Sequence, residues 1–145
     1  MSDKNEANIR CMVDDVWNKG HVKLLDELVT PDYKDHDPVE PVRDVQGFKD
    51  LVNKYRNAFP DCRLDIDELF QAGDRVIVRW HYSGTHRNAL EGIPPTGRHV
   101  TGPGISIHRF QGGKLAESFT TWDALGLMQQ LGVITLPGKT QRAGM

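Results

Sequence analysis

GISIHRFQGGKLAESFTTWDALGLMQQLGV, from Gly104 to Val133, reads as a strand, a tight turn at Gly112-Gly113, a second strand and then a helix. Strict alternation puts Leu115, Glu117, Phe119, Thr121 and Asp123 on one face of the second strand. Leu115 and Phe119 mark that face as the inner one. Asp123 then stands at the end of an apolar wall, at the junction of strand and helix. Loss of water raises a carboxyl pKa there and suits the group to proton transfer. A second reading stays open, because Asp is a favoured helix N-cap and an apolar helix starts directly after it.

Working outward, a strand spans about His99 to Phe110 and is interrupted by Gly102-Pro103-Gly104, which predicts a bulge or sharp bend. Before it lie strands near Cys62–Gln71 and Arg75–Thr85, turned at Gly73-Asp74. The N-terminal third is helical in pattern. A first helix covers about Asn5 to Lys19, with Ile9, Met12, Val13, Val16 and Trp17 on one stripe. A short second helix holds Leu24, Leu25 and Leu28 and is closed by Pro31. The segment PDYKDHDPVEPVRD reads as a loop, after which Asp44 caps a third helix carrying Phe48, Leu51, Val52, Tyr55 and Phe59. The tail after Pro137 is expected to fray. Helices, then four consecutive strands, then a helix make an α+β order. A strongly bent antiparallel sheet wrapped around the first helices would enclose a small-molecule cavity.

Bulk properties narrow the function. The 145 residues fit one domain, residues 1–145. Apolar residues make up 38% and charged residues 26%, with a net charge of -2, so nothing calls for a nucleic-acid or membrane partner. Cys11 and Cys62 have neither metal spacing nor a disulfide framework and fit a reduced, cytoplasmic protein. The start, MSDKNEAN, lacks the apolar run of a signal peptide.

Six histidines are candidates for chemistry. His21 follows a helix stop and is expected in solvent. His81 alternates with Trp80 and points outward. His86 shares parity with Val76, Val78, Trp80 and Tyr82, which directs it toward the cavity. His36 lies between Asp35 and Asp37 in the loop, where it could equally be a hydrated turn. His108 shares parity with Ser106 and Phe110, with its face undecided. His-x-His, HExxH, G-x-S-x-G and phosphate-loop patterns are absent from the sequence, so no metal and no cofactor is expected. General acid–base work around an apolar pocket, or binding of a lipophilic ligand, remains. Trp17, Phe48, Tyr55, Trp80 and Phe119 are candidates for the pocket wall, with ordinary core packing as their alternative role.

The ordered blocks TPDYKDH, GFKDLVNKYRNAFPD, GDRVIVRWHYSGTH, GIPPTGR, HRFQGGKLAE and DALGLMQQLG resemble the SnoaL-like polyketide cyclases, ester cyclase-like members of the nuclear transport factor 2-like superfamily. The resemblance runs from about Asn8 to Val133. It implies a cone-shaped α+β barrel, with a curved, mostly antiparallel sheet wrapped around the N-terminal helices, and a homo-oligomer, dimer or tetramer. It also implies metal-free intramolecular aldol ring closure on a small apolar carbonyl substrate. By the same resemblance Asp123 is general base and then acid, and His36, His86 and His108 match the family histidines. Phe119 and Asn88 depart from the family's usual Trp and Gly, which bears on the substrate more than on the fold. The expected chemistry assigns catalysis to Asp123, His36 and His108, and substrate binding to His86 and the five aromatics. A non-catalytic lipophilic-ligand protein, or an isomerase or hydroxylase-like enzyme, is the alternative on this scaffold.

Overall fold

The computed structural model of the chain describes residues 2–138. Beyond Gly138, the tail lies outside the described residues. The first helix starts as α1 (Ser2–Cys11) and continues as a π-helical stretch, Met12–Trp17. The wider winding still buries Met12, Val13 and Val16 on one side. Asn18 ends the run with a two-way clip: its amide donates to Leu64 O at 3.0 Å and its Oδ1 accepts from Leu64 N–H at 2.7 Å. A 3₁₀ turn, Val22–Leu24, leads into the short α2 (Leu25–Leu28). Helix α3 (Val45–Ala58) begins as expected at Asp44, whose Oδ1 accepts from Gly47 N–H at 2.8 Å. Its stripe buries Phe48 and Val52 against the sheet, with Leu51 and Tyr55 half-buried beside them.

The sheet has five strands in the order β1-β5-β4-β3-β2. They are β1 (Val29–Asp35), β2 (Arg63–Ala72), β3 (Arg75–Thr85), β4 (His99–Gln111) and β5 (Lys114–Trp122). All neighbours run antiparallel except β1 and β5, which are parallel. The sheet curves without closing, and β1 and β2 are its edges. Strand β1 corrects the sequence reading, which ended a helix at Pro31 and made this segment a loop. Proline lacks a donor, but an edge strand leaves one side of its backbone unpaired and tolerates it. Gly112 and Gly113, at φ 60° and 82°, make the tight β4–β5 turn, since two consecutive positive φ angles suit the twist of a hairpin.

Two further local expectations change. Strands β3 and β4 stay in register through Gly102, Pro103 and Gly104, with no bulge there. Gly102 faces Tyr82 and Gly104 faces Trp80 across the pair. A Cβ at either glycine would overlap its partner's ring, so the glycines let both rings lie flat on the sheet. Gly104→Ala should therefore force Trp80 toward the interior and cost about 1–3 kcal/mol, the usual range for overpacking. Urea denaturation checks this; an unchanged midpoint would show that the ring has room to move.

The bulge lies instead where β4 meets β5. Arg109 pairs Glu117 but Phe110 pairs Leu115, so Ala116 is an extra residue on β5. That one insertion reverses parity. Leu115 faces inward, and after the bulge Ser118 and Thr120 are buried while Phe119 and Thr121 are exposed.

Helix α4 (Ala124–Leu131) packs Leu127 and Leu131 with Phe59 and Val100 in a second apolar cluster. The main cluster joins Ile9, Val16, Tyr33, Phe48, Val76 and Leu115, among others, between the N-terminal helices and the concave sheet face. Among the described residues no helix is long and apolar enough to cross a membrane.

Candidate active site

Between the helices and the concave sheet lies a cavity of about 160 Å³. Trp17, Phe48, Tyr55, Val78, Trp80 and Tyr82 supply much of its wall, and a few polar groups converge on it: Asp35, Ser106, His108 and Thr120. A mostly apolar pocket with few, placed polar groups is the usual form of a small-molecule site.

Asp35 ends β1, and its cross-strand partner is Ser118. Tyr33 and Asp35 alternate inward while Lys34 and His36 are exposed. A one-way chain of hydrogen bonds ends on the Asp35 carboxylate. Trp80 Nε1 donates to Ser106 Oγ at 3.1 Å, Ser106 and Thr120 hydroxyls are 3.0 Å apart, and Thr120 Oγ1 donates to Asp35 Oδ2 at 2.9 Å. An ionised carboxylate only accepts, so Thr120 gives its one hydroxyl proton to Asp35 and Ser106 must donate to Thr120, which fixes the direction toward Asp35. The other oxygen, Oδ1, is buried with no hydrogen-bond partner among the described residues. Loss of water around this group pushes its pKa up to about 6; the Thr120 hydrogen bond acts against that shift and the Asp37 carboxylate adds to it. A carboxyl poised there is a proton acceptor at neutral pH and a donor once loaded.

His108 is a second titratable group on this wall, which also carries Asp37 and Glu40. It pairs Ser118 from the opposite side, so Asp35, Ser118 and His108 stand side by side on β1, β5 and β4. Its Nδ1 lies 2.6 Å from Ser118 Oγ, and Tyr33 OH donates to the same Oγ at 2.7 Å. Burial pushes the imidazole down to about 4, so it is neutral where Asp35 works. On the same wall Asp37 is spent on structure: Oδ1 accepts from Val39 and Glu40 N–H, and Oδ2 accepts from Trp122 Nε1.

The structure brings together only part of the expected set. Trp17, Phe48, Tyr55, Trp80 and His108 line the cavity. Phe119 does not; the Ala116 bulge turns it outward, where it is 42% exposed and stacks on His36. His36 is likewise outside, bonded to Glu117 at 2.7 Å. His86 is fully buried against Phe59 in the second cluster and does not line the cavity. Its Nδ1 accepts from Thr96 N–H at 3.1 Å, which holds the Gly/Pro segment in place.

Asp123 caps α4 through an Oδ1 contact of 2.8 Å to Gly126 N–H and is not part of the cavity wall, although its neighbour Trp122 is. Asp123→Ala should cost about 1 kcal/mol, as for loss of a cap, and Asp123→Asn almost nothing, since Asn caps as well as Asp. Thermal denaturation of both variants checks this, and equal losses would argue for a role beyond capping. Sequence reading passed over Asp35. Its signal was the alternation of Tyr33 and Asp35, visible only once this segment is recognised as a strand.

The family model for SnoaL-like polyketide cyclases matches residues 7–131. The chain belongs to the SnoaL-like polyketide cyclase family. As a cyclase-type enzyme of that family it is similar to nogalonic acid methyl ester cyclase of Streptomyces nogalater, 29% identical over 119 residues covering 80% of this chain and 89% of that one. It is 30% identical over 107 residues to aklanonic acid methyl ester cyclase DnrD of Streptomyces peucetius, covering 73% and 72% of the two chains. Among solved structures, a provisionally assigned polyketide cyclase from Acidithiobacillus ferrooxidans superposes with a TM-score of 0.80 at 33% identity, covering 91% of this family member and 96% of that chain. TsrD from Streptomyces laurentii gives 0.83 at 25% identity, covering 92% and 98%.

Proposed function

We propose that this family member closes a ring of a polyketide ester by intramolecular aldol addition, with Asp35 as the proton-transfer group and His108 as a hydrogen-bond donor. The observation that carries this reading is the Asp35 carboxyl: desolvated, lifted to about 6, and with one oxygen unpaired beside the cavity. Asp35 takes a proton from the carbon next to one carbonyl. The carbanion attacks a second carbonyl of the same molecule and forms a C–C bond. The resulting alkoxide then takes the proton back from Asp35. Substrate and product are isomers, so no oxidant, reductant or co-reactant is needed. Charge gathers on carbonyl oxygens, where a fixed donor such as the His108 ring lowers the barrier. Asp123 serves this site indirectly, by starting α4.

A cavity of about 160 Å³ is close to a space that takes one benzene-sized ring. It therefore suits the reacting end of a multi-ring substrate. Nogalonic and aklanonic acid methyl esters, named in the relatives, are the first compounds to test. Incubation with the full chain should give a product of unchanged mass and shifted chromatographic retention. Recovery of both esters unreacted, with measurable binding, would favour a lipophilic-ligand protein on the same scaffold.

The convex sheet face exposes Ile105, Ile107 and Phe119 at 51%, 38% and 42%. Such a cluster supports a homodimer formed across this face. Light scattering at high micromolar concentration should report twice the chain mass, and a clean monomer would count against it. The free thiols of Cys11 and Cys62 fit a cytoplasmic setting.

A further inference from the structure

We propose that Ser118 is a positioning residue that holds His108 as the neutral imidazole with its proton on Nε2, so that the ring meets substrate as a donor and not as a base. The inference rests on the cyclase reading for its catalytic meaning, but its structural content stands apart from turnover.

Three side chains from three strands form the device. Tyr33 comes from β1, Ser118 from β5 and His108 from β4. Tyr33 and Ser118 are at most 1% exposed and His108 is 6% exposed, so bulk water does not correct a bad pairing among them. The distances are 2.7 Å from Tyr33 OH to Ser118 Oγ and 2.6 Å from Ser118 Oγ to His108 Nδ1.

Three polarities of this chain are conceivable. In the first, the Tyr33 phenol donates to Ser118 and the Ser118 hydroxyl donates to Nδ1. Nδ1 then has no proton, and the neutral ring carries it on Nε2. In the second, Nδ1–H donates to Ser118 and Ser118 donates to the Tyr33 oxygen. The phenol proton would then need another acceptor, and Ser118 is the one hydrogen-bond partner that Tyr33 OH has among the described residues. In the third, Tyr33 OH and Nδ1–H both donate to Ser118 Oγ, whose own buried proton then has no acceptor among the described residues. A buried donor left without a partner costs about 1–3 kcal/mol. That amount decides the polarity by a factor of about five to more than a hundred. The first arrangement satisfies every proton in the chain. Tyr33 also remains a donor throughout, because burial, reinforced by Asp35, holds its phenol protonated well above the ordinary range.

The remaining atom, Nε2, makes no hydrogen bond among the described residues, and His108 belongs to the cavity wall. The two relays therefore differ in purpose. Donors run from Trp80 through Ser106 and Thr120 to the Asp35 carboxylate, whose other oxygen is left to accept. Donors run from Tyr33 through Ser118 to Nδ1, which leaves Nε2–H to donate. A neutral imidazole is a competent electrophile toward a carbonyl oxygen. Were Nδ1 protonated instead, Nε2 would present a lone pair to that oxygen and repel it.

Long-range ¹H–¹⁵N spectra of the full chain, labelled with ¹⁵N-histidine at about pH 7 and without any ligand, test the proposal. The His108 signals are assigned as those missing from His108→Gln. The expected wild-type pattern is a bare Nδ1 and a protonated Nε2. A protonated Nδ1, alone or together with Nε2, overturns the proposal outright. Ser118→Ala should replace the single pattern by a mixture of tautomers and, with an active ester, lower kcat by on the order of tenfold to a hundredfold at nearly constant KM, as for weakening one oxyanion donor. An unchanged spectrum in this variant also overturns the role of Ser118. Should Ser118→Ala not fold, Ser118→Cys, similar in size but a weak donor, takes its place in the same comparison. Because the resting spectrum needs no substrate, it can fail while the cyclase reading survives. An absence of ring closure would leave the tautomer result untouched.

Discussion

Asp35→Asn is expected to lower kcat by about a hundred- to ten-thousand-fold, the usual worth of a positioned acid–base group, while ligand affinity stays close to wild type. An amide of the same shape keeps the Thr120 hydrogen bond to its oxygen but cannot take a proton. The wild-type rate should rise with pH through about 6, where the Asp35 carboxyl loses its proton, and then level off. The comparison that gives this experiment its force is Asp123→Asn, which preserves the α4 cap and should retain most of the activity. Steady-state kinetics of the two variants on one ester decide between the aspartates. If Asp123→Asn is the inactive one and Asp35→Asn is not, the chemistry belongs to the helix junction.

The second large effect is in stability and needs no substrate. Asp35 and His108 have pKa values displaced in opposite directions, from 3.8 up to about 6 and from 6.5 down to about 4. Between these limits the folded chain holds a proton on Asp35 that the unfolded chain has lost. Desolvation of Asp35 therefore costs the fold nothing below about 3.8, and a penalty against folding grows as pH rises toward 6 and then levels off. His108 does the reverse. The unfolded chain takes up a proton that the buried ring refuses, so the fold loses stability as pH falls from 6.5 toward 4. The two slopes nearly cancel in the wild type. Asp35→Asn removes one of them. It should stabilise the protein by up to ~3 kcal/mol near pH 7 and by almost nothing near pH 4, and its own stability should climb across that interval. Urea denaturation of both proteins at several pH values gives the comparison. A difference between them that does not vary with pH would show that Asp35 titrates as an ordinary carboxyl.

Local pattern determined a good deal of this molecule. Period-two alternation located β2 to β5, helical spacing located α3 and α4, and both Asp44 and Asp123 were legible as caps. These features depend on residues close together in the chain, so the sequence carries them directly. The family resemblance, spread over ordered blocks, carried the α+β architecture and the cyclase class. It did not carry the site, because the facing of a side chain depends on pairing. A single extra residue, Ala116, is invisible in β5 alone; it exists only relative to Arg109 and Phe110 on β4, and it moved Phe119 from the expected wall to the outer surface. Strand β1 escaped notice because Pro31 and Asp32 are poor strand residues and only the edge of a parallel pair accommodates them. With β1 unseen, His36 stood out and Asp35 did not, although one residue's difference separates the outer face from the inner. Asp35 meets Thr120, and Tyr33 meets Ser118, each across 85 positions of sequence. Desolvation and hydrogen-bond direction, which give those residues their chemistry, are properties of that tertiary enclosure and of no segment by itself.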